Sequence, residues 1–114
     1  MTTGFTDDKR MPQTGGSIVE ILNCIDRGLE TFGQNVGKVV YYRMSKESGI
    51  HRSQIIANPN LFISCIGNMF GTYGVKVEKV VGDEIKRKFP AARGNSLLEI
   101  INDAKRLVYS SREY

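Results

Sequence analysis

Two short motifs of the type Ser-x-x-Glu constrain the fold of this chain more than any other sequence feature. They are Ser17–Glu20 and Ser96–Glu99, and apolar residues at helical spacing follow each of them. In such a capping box the serine side chain accepts a hydrogen bond from the backbone three residues on, and the glutamate reaches back to the cap. The sequence therefore predicts helices that begin at these two serines, close to the two ends of the chain.

Apolar residues recur every three or four positions through most of the sequence between the two motifs, which is typical of helices with one buried face. The valines and tyrosines of residues 36–42 would also suit a strand, but the charges around them continue at helical spacing. We therefore predict an all-α fold, a compact bundle of about five helices. The predicted helices run from Ser17 to about Phe32, Asn35 to Gly49, Asn58 to Gly71, Thr72 to Phe89, and Ser96 onward.

The first sixteen residues differ from the rest of the chain. Residues 1–16 combine Gly, Thr, Pro and charged residues with few apolar ones, which predicts a disordered leader, and residues 17–114 are predicted to form a single helical domain. No apolar run is long enough to cross a membrane, and the N-terminus lacks the pattern of a secretory signal. The sequence therefore predicts a cytoplasmic protein.

Few residues of the sequence suit catalysis or ligand binding. Cys24 and Cys65 fall on apolar helix faces and are expected in the core, while His51 is the only histidine and has no neighbour at metal-ligand spacing. No phosphate-binding loop and no combination of nucleophile and base is present. We therefore predict a protein that is not an enzyme and that has no metal or cofactor.

The segment from Ser45 to Ala57 has the spacing of a helix-turn-helix, with Gly49 at the turn and Ile50 and Ile55 to pack the corner. In that interpretation a second helix would enter the major groove of DNA. The other interpretation is a plain corner between two core helices. The corner is favoured because Pro59 leaves only about two turns for a reading helix. The residues that would face the bases are His51, Arg52, Ser53 and Gln54.

The densest positive cluster lies near the end of the fourth predicted helix. It consists of Lys86, Arg87, Lys88 and Arg93 in a chain whose net charge is +4. Such a cluster can contact DNA phosphates or an acidic partner. The cluster also has a structural explanation, because cations near a helix C-terminus stabilise the negative end of the helix dipole. The structural interpretation is favoured, and both roles are compatible.

The order of these features resembles a small archaeal domain, the Nitrosopumilus output domain of the fifth type. The resemblance covers about Ser17 to Phe89 and rests on Gly49-Ile50, Ile55, Asn58-Pro59, Phe70-Gly71 and the final Ile85 to Phe89. It implies an all-helical domain of uncharacterised activity, of a kind proposed as an output or interaction module in archaeal signalling. This chain departs from the family pattern at His51-Arg52 and in the additional helix that follows Ser96.

The number of apolar helical positions exceeds what one small core needs, and Ile63, Met69, Val77 and Tyr109 are examples. A second copy of the chain would cover such a surplus. We therefore expect a non-enzymatic interaction or signalling output module that binds another protein, with a second copy of itself as the expected partner in a homodimer. The alternative is a DNA-binding transcriptional regulator that reads bases with His51 to Gln54 and contacts phosphate with Lys86 to Arg93.

Overall fold

A computed structural model describes residues 17–111 of the chain. Within that range it contains helices and turns but no β-strand, which confirms the all-α prediction. The predicted leader, residues 1–16, lies outside the described residues, as do residues 112–114. The helices are α1 (Ile18–Glu30), α2 (Val36–Ser48), α3 (Pro59–Phe70), α4 (Gly74–Lys88) and α5 (Leu97–Ser111), with single 3-10 turns at Arg52–Gln54 and Gly71–Tyr73.

Helix α1 begins as the first capping motif predicts and ends slightly early. The Ser17 hydroxyl accepts a hydrogen bond from the Glu20 backbone N–H at 3.2 Å. The helix stops at Glu30 rather than Phe32, because the N–H groups of Thr31, Phe32 and Gly33 each bond to the carbonyl three residues earlier. Such bonds tighten the chain into a turn.

Helix α3 begins at Asn58-Pro59 as predicted, although Asn58 does not cap it with its side chain. Pro59 occupies the first helical position, where a missing N–H costs nothing. The Asn58 amide instead donates to the Gln54 carbonyl at 3.0 Å, which fastens the helix to the preceding turn. The helix ends at Phe70, and the next residue, Gly71, has a φ of 58° that suits glycine.

Helix α4 differs from the prediction at its start. Residues Gly71–Tyr73 form a 3-10 turn, and α4 begins at Gly74 rather than Thr72. Its inward face carries Val77, Val81 and Ile85. Val75 was predicted to point inward, but it lies about 200° around the helix from Val77 and is 75% exposed.

Helix α5 starts with a modified capping box. The Ser96 hydroxyl accepts a hydrogen bond from the Glu99 backbone N–H at 3.2 Å, as the motif predicts. The Glu99 carboxylate reaches one residue further back than expected and accepts from the Asn95 N–H at 2.8 Å. The start of the helix is thus tied to the loop that precedes it.

The core forms mainly where α1 packs along α4, although these helices are not consecutive in the chain. They run antiparallel, since Glu20 lies near Lys88 at one end and the ring of Phe32 meets that of Tyr73 at the other. At their crossing Gly28 lies against Val81, so closely that an added Cβ would stand 2.7 Å from the Val81 Cα. Cys24 and Cys65 are buried in the core, which confirms that prediction.

Candidate interaction surface

The segment from Ser45 to Ala57, which has the spacing of a helix-turn-helix, forms the favoured corner and contains no second α-helix. Gly49 ends α2 in the left-handed conformation and donates its N–H to Ser45, while Ile50 and Ile55 are buried, as the corner interpretation requires. Only Arg52–Gln54 are helical, in a single 3-10 turn. The Gln54 side chain folds back to accept the His51 N–H at 2.8 Å. A reading helix is therefore not formed, because α3 starts too soon after the turn.

In the DNA-binding alternative Arg52 would face the bases, but in the structure it lies against α1. Its guanidinium forms a bidentate salt bridge with Asp26, with Nε 3.0 Å from Oδ1 and a terminal nitrogen 2.7 Å from Oδ2. The same terminal nitrogen donates to the Asn23 side chain at 3.1 Å. Bidentate arginine-carboxylate contacts are among the stronger and more directional side-chain interactions. Arg52 thus anchors the corner to α1, and His51, Ser53 and Gln54 remain on the surface around it.

Tyr41 completes this network from α2. Its hydroxyl donates to Asp26 Oδ1 at 2.5 Å, so that α1, α2 and the corner meet at one carboxylate. Burial raises the pKa of Tyr41 well above its usual value, and the hydrogen bond and negative charge of Asp26 raise it further. The carboxylate is therefore shared by one arginine and one protonated tyrosine.

Loss of the Tyr41 hydroxyl should change the pH dependence of stability. Because the pKa of Tyr41 is higher in the folded chain than in the unfolded chain, its contribution is complete below about pH 10 and is lost as the pH rises further. The free energy of unfolding should thus fall more steeply above about pH 10 for the wild type than for Tyr41→Phe. Urea unfolding at several alkaline pH values checks this, and equal slopes would contradict it.

The pair between Arg52 and Asp26 should couple measurably. Both side chains are about one third exposed, so we expect a coupling free energy of about 1 kcal/mol rather than the larger value of a buried pair. A double-mutant cycle with Arg52→Gln and Asp26→Asn measures it. The exposed pair of Arg43 and Glu47, four residues apart on α2, is the matched control and should give about 0.3–0.5 kcal/mol. Equal coupling in both cycles would show that Arg52 is not an anchor.

The predicted basic cluster lies at the C-terminal end of α4, and acidic side chains meet two of its members. Lys88 lies 3.7 Å from Glu20 of α1, and Arg87 lies 3.5 Å from Glu84. Arg93 is exposed in the following loop, and its backbone N–H bonds to Asp103. Lys86 borders a shallow depression between α4 and α5. The basic cluster contacts α1 at Glu20, and the corner contacts the same helix at Asn23 and Asp26.

A different surface, which the motif analysis missed, is the outward face of α3. Five residues of this helix are exposed: Asn60, Leu61, Ser64, Gly67 and Asn68. None of them is charged, and the whole segment 53–75 contains no Asp, Glu, Lys, Arg or His. We call these five residues the neutral face. In a chain of which a quarter is charged, an exposed helix face without charge is unusual, and the gap in the charge pattern was the available signal.

An apolar groove lies beside the neutral face, between the start of α2 and the end of α3. It has a volume of about 250 Å³ and is lined by Val36, Val39, Met69 and Phe70, with Asn35 at its edge. Val39 is 50% exposed, although it is a large apolar residue on a helix surface. Further along α2, Arg43 and Glu47 pair with each other at 2.9 Å. These two charges are thus matched within one molecule.

The apolar surplus expected from the sequence is only partly present. Ile63 and Met69 are partly buried against the core, and Tyr109 is 47% exposed on α5. Val77 is fully buried between the helices, so the prediction that it belongs to the apolar surplus was wrong. The exposed apolar residues of this surface are instead Leu61, within the neutral face, and Val39 of α2, beside it.

Comparison with protein-family models, with curated proteins and with solved structures gave no match. Among residues 17–111, none of the helices has both the length and the apolar character needed to cross a membrane.

Proposed function

We propose that this protein is a non-enzymatic interaction module that associates with a second copy of itself through the neutral face of α3. The observation that carries the proposal is an exposed helix face without charge, lying beside an apolar groove. The centres of protein interfaces are depleted in charged residues relative to the rest of the surface. Gly67 adds to this, because nothing lies within 4 Å of where its Cβ would be, so another helix can approach closely.

The distribution of charge favours a second copy of the chain as the partner that binds the neutral face. The chain carries a net charge of +4, and two like-charged molecules repel each other through most of their surfaces. A symmetric contact brings the same patch of both molecules together, so a charged patch would face a patch of the same sign in the other copy. On the neutral face this repulsion is absent. The internally paired Arg43 and Glu47 at its border add no net charge.

The size of the surface predicts modest affinity. Helix α3 has 12 residues and is therefore about 18 Å long, and α2 adds the width of one more helix. Such a surface is at the small end of specific interfaces, which suits a reversible contact rather than a permanent one. A reversible homodimer is compatible with the signalling output role that the family resemblance implies. The two buried free thiols suit the reducing cytoplasm.

The test is the molecular mass of the wild-type chain in solution as a function of concentration and salt. Light scattering should give a mass that rises from 12.8 kDa toward twice that value over the micromolar range. Added salt should preserve or strengthen the association, because it screens the repulsion between two positive molecules. A mass that stays at 12.8 kDa into the high micromolar range would overturn the proposal.

A further inference from the structure

The neutral face of α3 is arranged symmetrically about Ser64. Leu61 precedes Ser64 by three residues and Gly67 follows it by three, while Asn60 and Asn68 lie four residues away on either side. At 1.5 Å per residue, Leu61 and Gly67 each lie about 4.5 Å from Ser64 along the helix axis. All five residues are exposed, so this pattern belongs to the surface and not to the core.

We infer that two copies pair α3 with α3 in antiparallel orientation, with the two-fold axis at Ser64. This inference rests on the proposed self-association and specifies its geometry. In that orientation a residue at a given distance before Ser64 faces the residue at the same distance after Ser64 in the other copy. Leu61 of each copy then lies over Gly67 of the other, and Asn60 lies opposite Asn68.

Both facing pairs are complementary. Leu61 is 38% exposed and projects from the helix, whereas Gly67 leaves open space where a side chain would be. A large residue over a small one fills this space without strain. Asn60 and Asn68 each carry an amide that donates and accepts, so they can bond to each other in both halves of the dimer. The two Ser64 hydroxyls face each other and can share a hydrogen bond.

A parallel arrangement lacks these matches. It would place Leu61 beside Leu61 and Gly67 beside Gly67, so that one level is crowded and another is empty. Antiparallel helices also bring opposite dipole ends together, which favours this orientation electrostatically. The positions of Leu61 and Gly67 thus select the antiparallel pairing.

Disulfide cross-linking of the full chain tests this geometry. Ser64→Cys places two thiols at the axis, close enough for a bond between Cα atoms about 4.4–6.8 Å apart. Under mild oxidation this variant should form a cross-linked dimer at least about tenfold faster than Val19→Cys, whose site is exposed on α1. Asn60→Cys and Asn68→Cys should cross-link when mixed with each other and not when each is alone. The native cysteines are buried and do not compete.

An exchange of the large and small residues provides a second test. Leu61→Ala alone should weaken dimerisation by leaving a gap, and Gly67→Leu alone should weaken it by placing leucine against leucine. The double variant restores one large and one small residue at each contact and should dimerise more tightly than either single variant.

The outcomes separate this geometry from the proposed function. A dimeric mass with no cross-link at Ser64→Cys and no recovery in the double variant would overturn the antiparallel pairing and leave self-association standing. A monomeric mass at all concentrations would overturn both. A dimeric mass with the cross-link at Ser64→Cys and in the Asn60→Cys and Asn68→Cys mixture would establish the pairing.

Discussion

Arginine in place of Gly67 should leave the domain folded and hold it as a monomer at concentrations where the wild type is dimeric. Gly67 lies in the last turn of α3, and no neighbouring atom stands within 4 Å of the position its Cβ would take. A side chain there meets only solvent in the single molecule. Arginine also favours helix over glycine by about 0.5–1 kcal/mol, so the melting temperature of the monomer should not fall.

In the dimer the same arginine would be buried against Leu61 of the second copy without a partner. Burying an unpaired charge costs about 3–5 kcal/mol, so the dimer dissociation constant should rise at least about 100-fold. Sedimentation equilibrium measures the constant, and circular dichroism verifies the fold.

Val19→Arg is the matched control for this experiment. Val19 is 61% exposed on α1, and the substitution adds the same charge to the same chain. It should leave the dissociation constant within a few-fold of the wild type, because it raises only the general repulsion between the molecules. If both variants dissociate equally, net charge controls association and the neutral face has no special part in it. If Gly67→Arg remains dimeric, the interface lies elsewhere on the molecule.

The second large effect concerns the fold. Alanine in place of Gly28 should lower the free energy of unfolding by about 2 kcal/mol, because its Cβ would stand 2.7 Å from the Val81 Cα and force α1 away from α4. The nearest of these atoms belongs to the α4 backbone in the core, so it cannot swing aside. The loss outweighs the higher helix propensity of alanine, which alone would stabilise the chain by about 1 kcal/mol. Urea unfolding followed by circular dichroism gives the value.

Gly37→Ala separates packing from propensity. This glycine is also buried in a helix, but its Cβ would meet the Tyr41 ring at 3.7 Å and Leu29 at 3.9 Å, which are ordinary contacts. The substitution should leave stability unchanged or raise it slightly. Equal losses at Gly28 and Gly37 would indicate that α1 and α4 are not held at this close distance.

The helices were predictable because their signals are local. Ser17, Ser96 and Pro59 each begin a helix by interactions that reach no more than a turn along the chain. Gly49 ends α2 for an equally local reason, since its left-handed conformation disfavours other residues. The phase of α4 was harder to predict, because valine occurs on both its buried and its exposed sides, and Val75 was wrongly placed.

Contacts between distant segments were not predictable from the pattern. The pair of Arg52 and Asp26 joins residues far apart in the chain, and nothing in the spacing of either residue indicates the other. Arg52 was therefore assigned to base reading in the DNA-binding alternative, and its contact with α1 was not predicted. The neutral face had a visible signal in the uncharged segment 53–75. Which side of the apolar helix α3 faces solvent depends on where α1, α2 and α4 pack.

The pairing of α1 with α4 also affects how the chain acquires its structure during synthesis. Helix α1 is made before its main partner α4, which lies beyond Tyr73, so the chain from Thr31 to Tyr73 must be made before the central contact can form. Until then the apolar face of α1, with Ile21, Ile25 and Leu29, lacks its main packing contact with α4. A nascent chain in this condition is a natural client for chaperones that bind exposed apolar helices.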